Sequence, residues 1–434
     1  MGNLAAARAH DFNETANDGS ISDARTKGPT RHTQNTPILR VPEALHFGRR
    51  IEVVNGCERF KSATEKGYQK HCSGLMRHHL TSNKNDWILS LILEKIGKSK
   101  KAPSLSPSRL AKTVVSTIVP KYADLIVKSV KSNLPEILER RRTHERDFEE
   151  RLLERWKKPL DLLEVLVEIS LESGAEVNSE YRSTAAKSHD YVFDVLTRLQ
   201  ARSCQISDEI LRLLKAGLAD GAHARWRTLH EIAVISYFVK REGQEVAERY
   251  LDYGIVETYR ESLQYRKHCQ QLGQEPPTKE ELDRLEMAYD KVLEKYGSDF
   301  GAKYGWIPEK VSKERTFAGI EKSVGLDKHR PYYMMACHNV HSGPKGIQFR
   351  LGLGLLRRPL RTPIILAGPS NYGLADPGQE TAISLAQTTT CLLSTRPTIE
   401  RVSIMGAITK LVDEIQLAFC EAQAQIEKEV LKSG

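Results

Sequence analysis

The segment DGAHARWRTLHEIAVISYFVK, residues 220–240, constrains this chain more than any other. At 3.6 residues per turn, Trp226, Leu229, Ala233 and Tyr237 cover one surface of the helix it predicts. His223, Arg227 and Glu231 fall at i, i+4 and i+8 on a second face, which continues into Val234 and Phe238. A helix that is apolar on most sides belongs deep in a bundle. Arg and Glu placed there must be paired or line a wet cleft, because unpaired burial of either is strongly unfavourable. The fold predicted around such a helix is all-α.

The rest of the chain agrees with that expectation. Residues 1–40 are polar, with hardly any apolar periodicity, and predict a disordered leader. A second region, 41–158, holds an apolar run at Trp87–Ile96, the basic loop GKSKKAPSLSPS and a helical stretch from Leu110 to Lys131 broken at Pro120. It ends in the charged helix PEILERRRTHERDFEERLLERWKKP, which Pro135 opens and Pro159 closes. Glu and Arg alternate there at three- and four-residue spacing, so they support the helix and nearly cancel each other.

Residues 159–434 form the main helical domain. Helices are predicted over 160–172, 179–202, Ser207–Leu218 with Ser207 as its cap, 220–240, 245–268, 316–324, 331–341, 379–393 and 399–431. Thr278 and Glu281 form a capping box at the start of another, 278–296. Residues 343–378 are dense in Gly and Pro and predict an extended insertion, its apolar runs at 347–356 and 364–367 forming a small hairpin or extended loops.

Composition narrows the function classes. Hydrophobic residues make up 40% and charged residues 28%, so the bulk of the chain folds. The formal charge of +9, from 65 Lys+Arg against 56 Asp+Glu, permits contact with RNA or another phosphate-bearing partner without demanding it. Seven scattered cysteines and a start without an apolar signal core predict reduced thiols and a cytoplasmic protein. No stretch is apolar enough for a membrane span. H-E-x-x-H, Cys–His clusters, G-x-x-x-x-G-K-[ST] and G-x-S-x-G are all missing, so neither a metal nor a cofactor is expected.

Candidate functional residues gather in two places. On the central helix, His230 borders the stripe of His223, Arg227 and Glu231, and Arg225 lies alongside. A carboxylate and an imidazole beside a fixed cation suit proton transfer. The bland alternative is an Arg227–Glu231 ion pair that only fixes helix packing. In PYYMMACHNVHSGPKG, His338, Asn339 and His341 cluster at a helix end ahead of Lys345 and Gly346, a second polar group able to meet the first.

At these residues the chain, over about 162–346, resembles a bacterial family of unknown function, number 5677. The resemblance is carried by Arg227-x-x-x-Glu231 in its apolar helix, by ERYLDY at 248–253, and by Tyr332…His341 before GPKG. It implies an all-helical fold, supplies no activity, and singles out Arg227, Glu231 and His341 as one shared pocket. Arg225-Trp-Arg-Thr-Leu-His230 is also similar to the Arg…His signature of helical ribonucleases of the HEPN group, in which Arg stabilises the scissile phosphate and His does proton work without metal. The departure is geometric: at i+5, Arg225 and His230 point about 140° apart on a regular helix.

Together these readings predict a helical protein with Arg227, Glu231, His230 and His341 as catalytic residues. His223, Arg225, His338, Asn339 and Lys345 are its ligand contacts. The expected activity is metal-independent ribonuclease action or phosphate-ligand binding in a bacterial defence-type context. The rival is a non-catalytic assembly or adaptor protein, self-associating or binding partners through helices 135–158 and 399–431.

Overall fold

A computed structural model of the chain describes residues 52–54, 116, 119–341, 343–348, 350–353 and 364–433. The leader expected over 1–40, the apolar run at 87–96 and the basic loop that follows it lie outside the described residues. All described residues fall in one unit, Arg49–Gly434.

The helices follow in order: α1 (Val119–Ser132), α2 (Leu134–Lys187), α3 (Tyr191–Lys215), α4 (Ala219–Glu242), α5 (Gln244–His268), α6 (Lys279–Tyr296), α7 (Phe317–Ser323), α8 (Arg330–Val340), α9 (Pro344–Gln348), α10 (Ala375–Leu393) and α11 (Ile399–Ser433). The fold is an all-α bundle, as the central segment requires. Helix starts follow local chemistry. Asp190 accepts from Phe193 N at the head of α3, and Thr278 with Glu281 forms the expected capping box of α6. Between α3 and α4, Gly217 takes φ +70°, where a Cβ would meet the Phe148 ring and the Ser370 carbonyl.

Three local expectations are corrected. Pro159 does not end the charged helix: α2 runs through it for 54 residues, so the boundary expected at 158/159 falls inside a helix. Its buried apolar residues begin only at Leu152, and packing from there to Val177 outweighs the hydrogen bond that the proline removes. Ser207 is no cap. It is buried in mid-α3, where its hydroxyl donates back to the Ser203 carbonyl at 2.8 Å. Nor, among the described residues, does the Gly/Pro-rich stretch form a hairpin. Ile347 lies in α9, and β2 (Ile364–Leu366) pairs in parallel with the distant β1 (Glu52–Val54), in register Val53 to Ile365.

The main core lies among α2, α3, α4, α10 and α11. Helix α10 reaches all four of its neighbours because Gly378, Thr381, Ser384 and Thr388 are small and buried. Its hydroxyls are satisfied within the helix, Thr381 to the Pro377 carbonyl at 2.6 Å and Thr388 to the Ser384 carbonyl at 2.9 Å. A second apolar cluster joins Val234 and Phe238 of α4 to α5, α6, Phe300 and Trp306. The two helices expected to meet partners pack on each other along part of their length. Trp156 packs on Phe419, and Lys158 pairs with Glu421 at 3.0 Å.

Close approach of α10 and α11 has a direct test. A Cβ at Gly378 would overlap the Phe419 ring, which is itself fully buried. Gly378→Ala is therefore expected to cost about 1–3 kcal/mol in denaturant unfolding, although alanine is the better helix former.

Candidate functional site

Helix α4 supplies the site because it is walled on several sides, by α3, α10, α8 and α7. Trp226 is fully buried and donates its indole N–H to the Glu380 carbonyl and to Ser384 Oγ, both at 3.0 Å. It also forms a column of rings along the helix, with His223 at 5.5 Å and His230 at 5.3 Å between centroids.

On the adjoining face, Arg227 and Glu231 pair at 3.1 Å and keep 28% and 30% of their side chains exposed. The third member of this rim is Tyr333 of α8. Arg227 Nη2 donates to the Tyr333 hydroxyl at 2.8 Å, and that hydroxyl donates to Glu231 Oε1 at 2.6 Å. The guanidinium also lies 4.9 Å from the centre of the tyrosine ring. Burial first, then the Glu231 carboxylate, push the Tyr333 phenol above its ordinary value, so it stays a proton-bearing donor at neutral pH. Burial, the largest single effect, opposes the Arg227 charge, but Glu231, Tyr333 and Cys337 together more than offset it and its affinity for the proton rises.

Beneath the rim lies a buried floor. His230 Nε2 meets Glu321 Oε1 of α7 at 2.7 Å, with only 1% and 0% of the two side chains exposed. The other Glu321 oxygen pairs with Arg330, whose guanidinium reaches over Phe317 and Tyr333. Beside it, His329 Nδ1 meets Glu380 Oε2 of α10 at 2.9 Å. The His230 and His329 rings are 5.7 Å apart, and His230 Nδ1 and His329 Nε2 have no hydrogen-bond partner among the described residues. Each imidazole is thus held by a carboxylate through one nitrogen, an arrangement that fixes ring orientation.

The residues expected from sequence are distributed as follows. Arg227 and Glu231 meet directly, with His230 behind Tyr333 at 5.9 Å between rings. His223 is met by Asn339, Nδ2 to Nδ1 at 3.4 Å. Arg225 turns away to pair with Glu209 of α3, so the Arg225–His230 spacing brings no shared chemistry. His341 caps α8 at an exposed position, its backbone N–H donating to the Cys337 carbonyl at 2.9 Å. At about 1.5 Å per residue it lies roughly 12 Å along the helix beyond Tyr333. His338 is half-buried and Lys345 exposed at that same end. Among the described residues, no group of three or more His, Cys, Asp or Glu is arranged to hold a metal ion.

Residues 193–354 match a family of unknown function, DUF5677. That segment contains Arg227, His230, Glu231, Glu321, His329, Arg330 and Tyr333, whereas Glu380 lies outside it. No curated protein and no solved structure matches the chain.

Sequence reasoning missed Tyr333, Glu321, His329, Arg330 and Glu380 as site residues. The signal for two of them was an acidic residue within an apolar stretch, Glu321 in FAGIEKS and Glu380 in QETAISLA.

Two stability effects follow. Removing Glu321 leaves Arg330 and His230 without their acceptor. Because Arg330 keeps 29% of its side chain exposed, the loss sits at the low end for a broken buried pair. Glu321→Ala should cost about 3 kcal/mol by denaturant unfolding. Burial also pushes His223 down from 6.5 to about 4. Between those values the unfolded chain binds a proton that the native one refuses, so stability falls as pH falls from 6.5 toward 4. His223→Phe keeps a ring against Trp226 and should remove up to about 1.4 kcal/mol per pH unit of that slope.

Proposed function

We propose that the protein binds a phosphate-bearing substrate at the Arg227–Glu231–Tyr333 rim and acts on it by acid–base chemistry, with RNA as the substrate class. The observation that supports this is the Tyr333 hydroxyl held between a cation and a carboxylate, at 2.8 and 2.6 Å, on a half-exposed edge. Arg227 keeps a buried Nε–H with no partner among the described residues, a donor left over for a phosphate oxygen.

In this reading the ribose 2′-oxygen attacks the adjacent phosphorus as Glu231 takes its proton, and the P–O5′ bond breaks to leave a cyclic phosphate. The departing 5′-oxygen takes a proton from solvent, and Arg227 offsets the charge developing on the phosphate. Tyr333 orients the carboxylate. His230, fixed by Glu321, supports the tyrosine ring from behind. His341, His338 and Lys345 give the strand a surface along the exposed end of α8, as contacts rather than proton carriers.

The near-complete burial of His230 and Glu321 favours a second reading, in which the whole stripe is structural and the protein is a non-catalytic assembly partner. Incubation with total RNA, with and without EDTA, separates the two. The enzymatic reading expects cleavage that persists in EDTA and falls at least about a hundredfold in Glu231→Gln. It also expects that variant to melt within about 2 °C of the parent. Intact RNA under both conditions, with a melting point several degrees lower for the variant, favours the structural reading.

A further inference from the structure

A second polar opening lies at the far end of α4, where that helix meets the end of α7, the end of α10 and the start of α11. It encloses a cleft of about 590 Å³, inside the general size range of small-molecule sites. Tyr237 lies ten residues beyond Arg227, about 15 Å along the helix axis, so this cleft is separate from the rim.

The lining combines two chemistries. Lys240 and Arg241 stand at its mouth, and among the described residues no carboxylate lines it. The nearest acid in sequence, Glu242, accepts from Arg241 Nε at 2.6 Å. Lys240 spends one of its protons on Ser394, and Arg241 spends donors on the Ser323 carbonyl and on Ser323 Oγ. Two ammonium protons and two guanidinium protons are left to bind an acceptor. The interior is neutral: the Tyr237 ring, Val324 and Met405 offer apolar surface. Burial pushes the Cys391 thiol up to about 12 and raises the Tyr237 phenol.

Two adjacent basic side chains with free donors, Arg241 being already paired with Glu242, stand over an uncharged interior containing an aromatic ring and suit a ligand with a compact anionic group of several acceptor oxygens on a flat apolar body. We infer that this cleft binds a small aromatic phosphate monoester. The dianion meets Lys240 and Arg241, and the ring packs against Tyr237, Val324 and Met405. A carboxylate offers fewer acceptor oxygens to the remaining donors than a phosphate monoester does, and inorganic phosphate would leave the interior empty. The cations also stabilise the C-terminal turn of α4, a role that their remaining donors leave undisturbed. This inference is independent of the activity at the rim. Occupation would nevertheless be felt there, because Ser323 and Val324 follow Glu321 within two and three residues.

Isothermal titration of the full chain with phenyl phosphate tests it, with benzoate and inorganic phosphate as comparison ligands. One saturable site is expected for phenyl phosphate, about tenfold or more weaker in Lys240→Ala and in Arg241→Ala and unchanged in Arg227→Ala. Both cations are surface side chains, so the variants should fold, and circular dichroism checks that. Met405→Trp, which fills the cleft, should abolish binding. Absence of a saturable site overturns the proposal. So does equal affinity for benzoate, or affinity unchanged in both cation variants. A loss in Arg227→Ala would place the ligand at the rim and also overturn it. None of these readings depends on whether RNA is cleaved.

Discussion

Helix α4 has almost no face of its own to give to water, and the rest of the structure follows from that. Trp226 fixes it against α10 through two hydrogen bonds, and α3, α7 and α8 close the remaining sides. A helix so enclosed can carry His223, Arg227, His230 and Glu231 only if each neighbour supplies a matching group. Each does: α8 gives Tyr333 and Asn339, and α7 gives Glu321. The polar groups of α7, α8 and α10 are therefore consequences of the sequence of α4. Helix α7 is only seven residues long, too short to hold itself. Its Glu321 anchors it to α4 and to Arg330 of α8.

Rim and floor differ in the property that matters for chemistry. Arg227 and Glu231 pair along one helix and keep contact with solvent, so their mutual attraction adds little stability. His230 and Glu321 are withdrawn from water, where a pair is held tightly and the loss of one partner is costly. The same helix thus has a replaceable pair above a fixed one. Tyr333 joins them, its hydroxyl in the rim and its ring against His230.

The sequence made one helix of this site legible and hid the others. Spacing of four residues on α4 is a local fact, so the Arg227–Glu231 pair could be read without any fold. So could the capping box at Thr278, which needs only four consecutive residues. Partners from α7, α8 and α10 lie 91 to 158 residues away, and nothing local in FAGIEKS or QETAISLA says which helix they face. His341 illustrates the limit. It caps the helix that carries Tyr333, but the eight-residue separation brings it to the exposed end, whereas Tyr333 sits one turn past the buried His329. Pro159 and Ser207 misled for the opposite reason. Each is a strong local signal, overruled by tertiary packing along α2 and α3.

The family segment is also not a self-sufficient body in this chain. Residues 193–354 include α4, α7 and α8, but the wall against Trp226 and the acceptor for His329 both come from α10, beyond that segment. Without α10, the indole of Trp226 would lose both acceptors and His329 would lose its carboxylate. An unmatched buried carboxylate at Glu380 is equally unfavourable on its own, which is why its His329 partner must be in place when α10 docks. The 193–354 unit and α10 therefore complete each other through the Trp226 and His329 contacts. The long helices α2 and α11, packed on α10 from the other side, hold it there. The parts of the chain outside the family match thus act on the site by fixing the one helix that seals its floor.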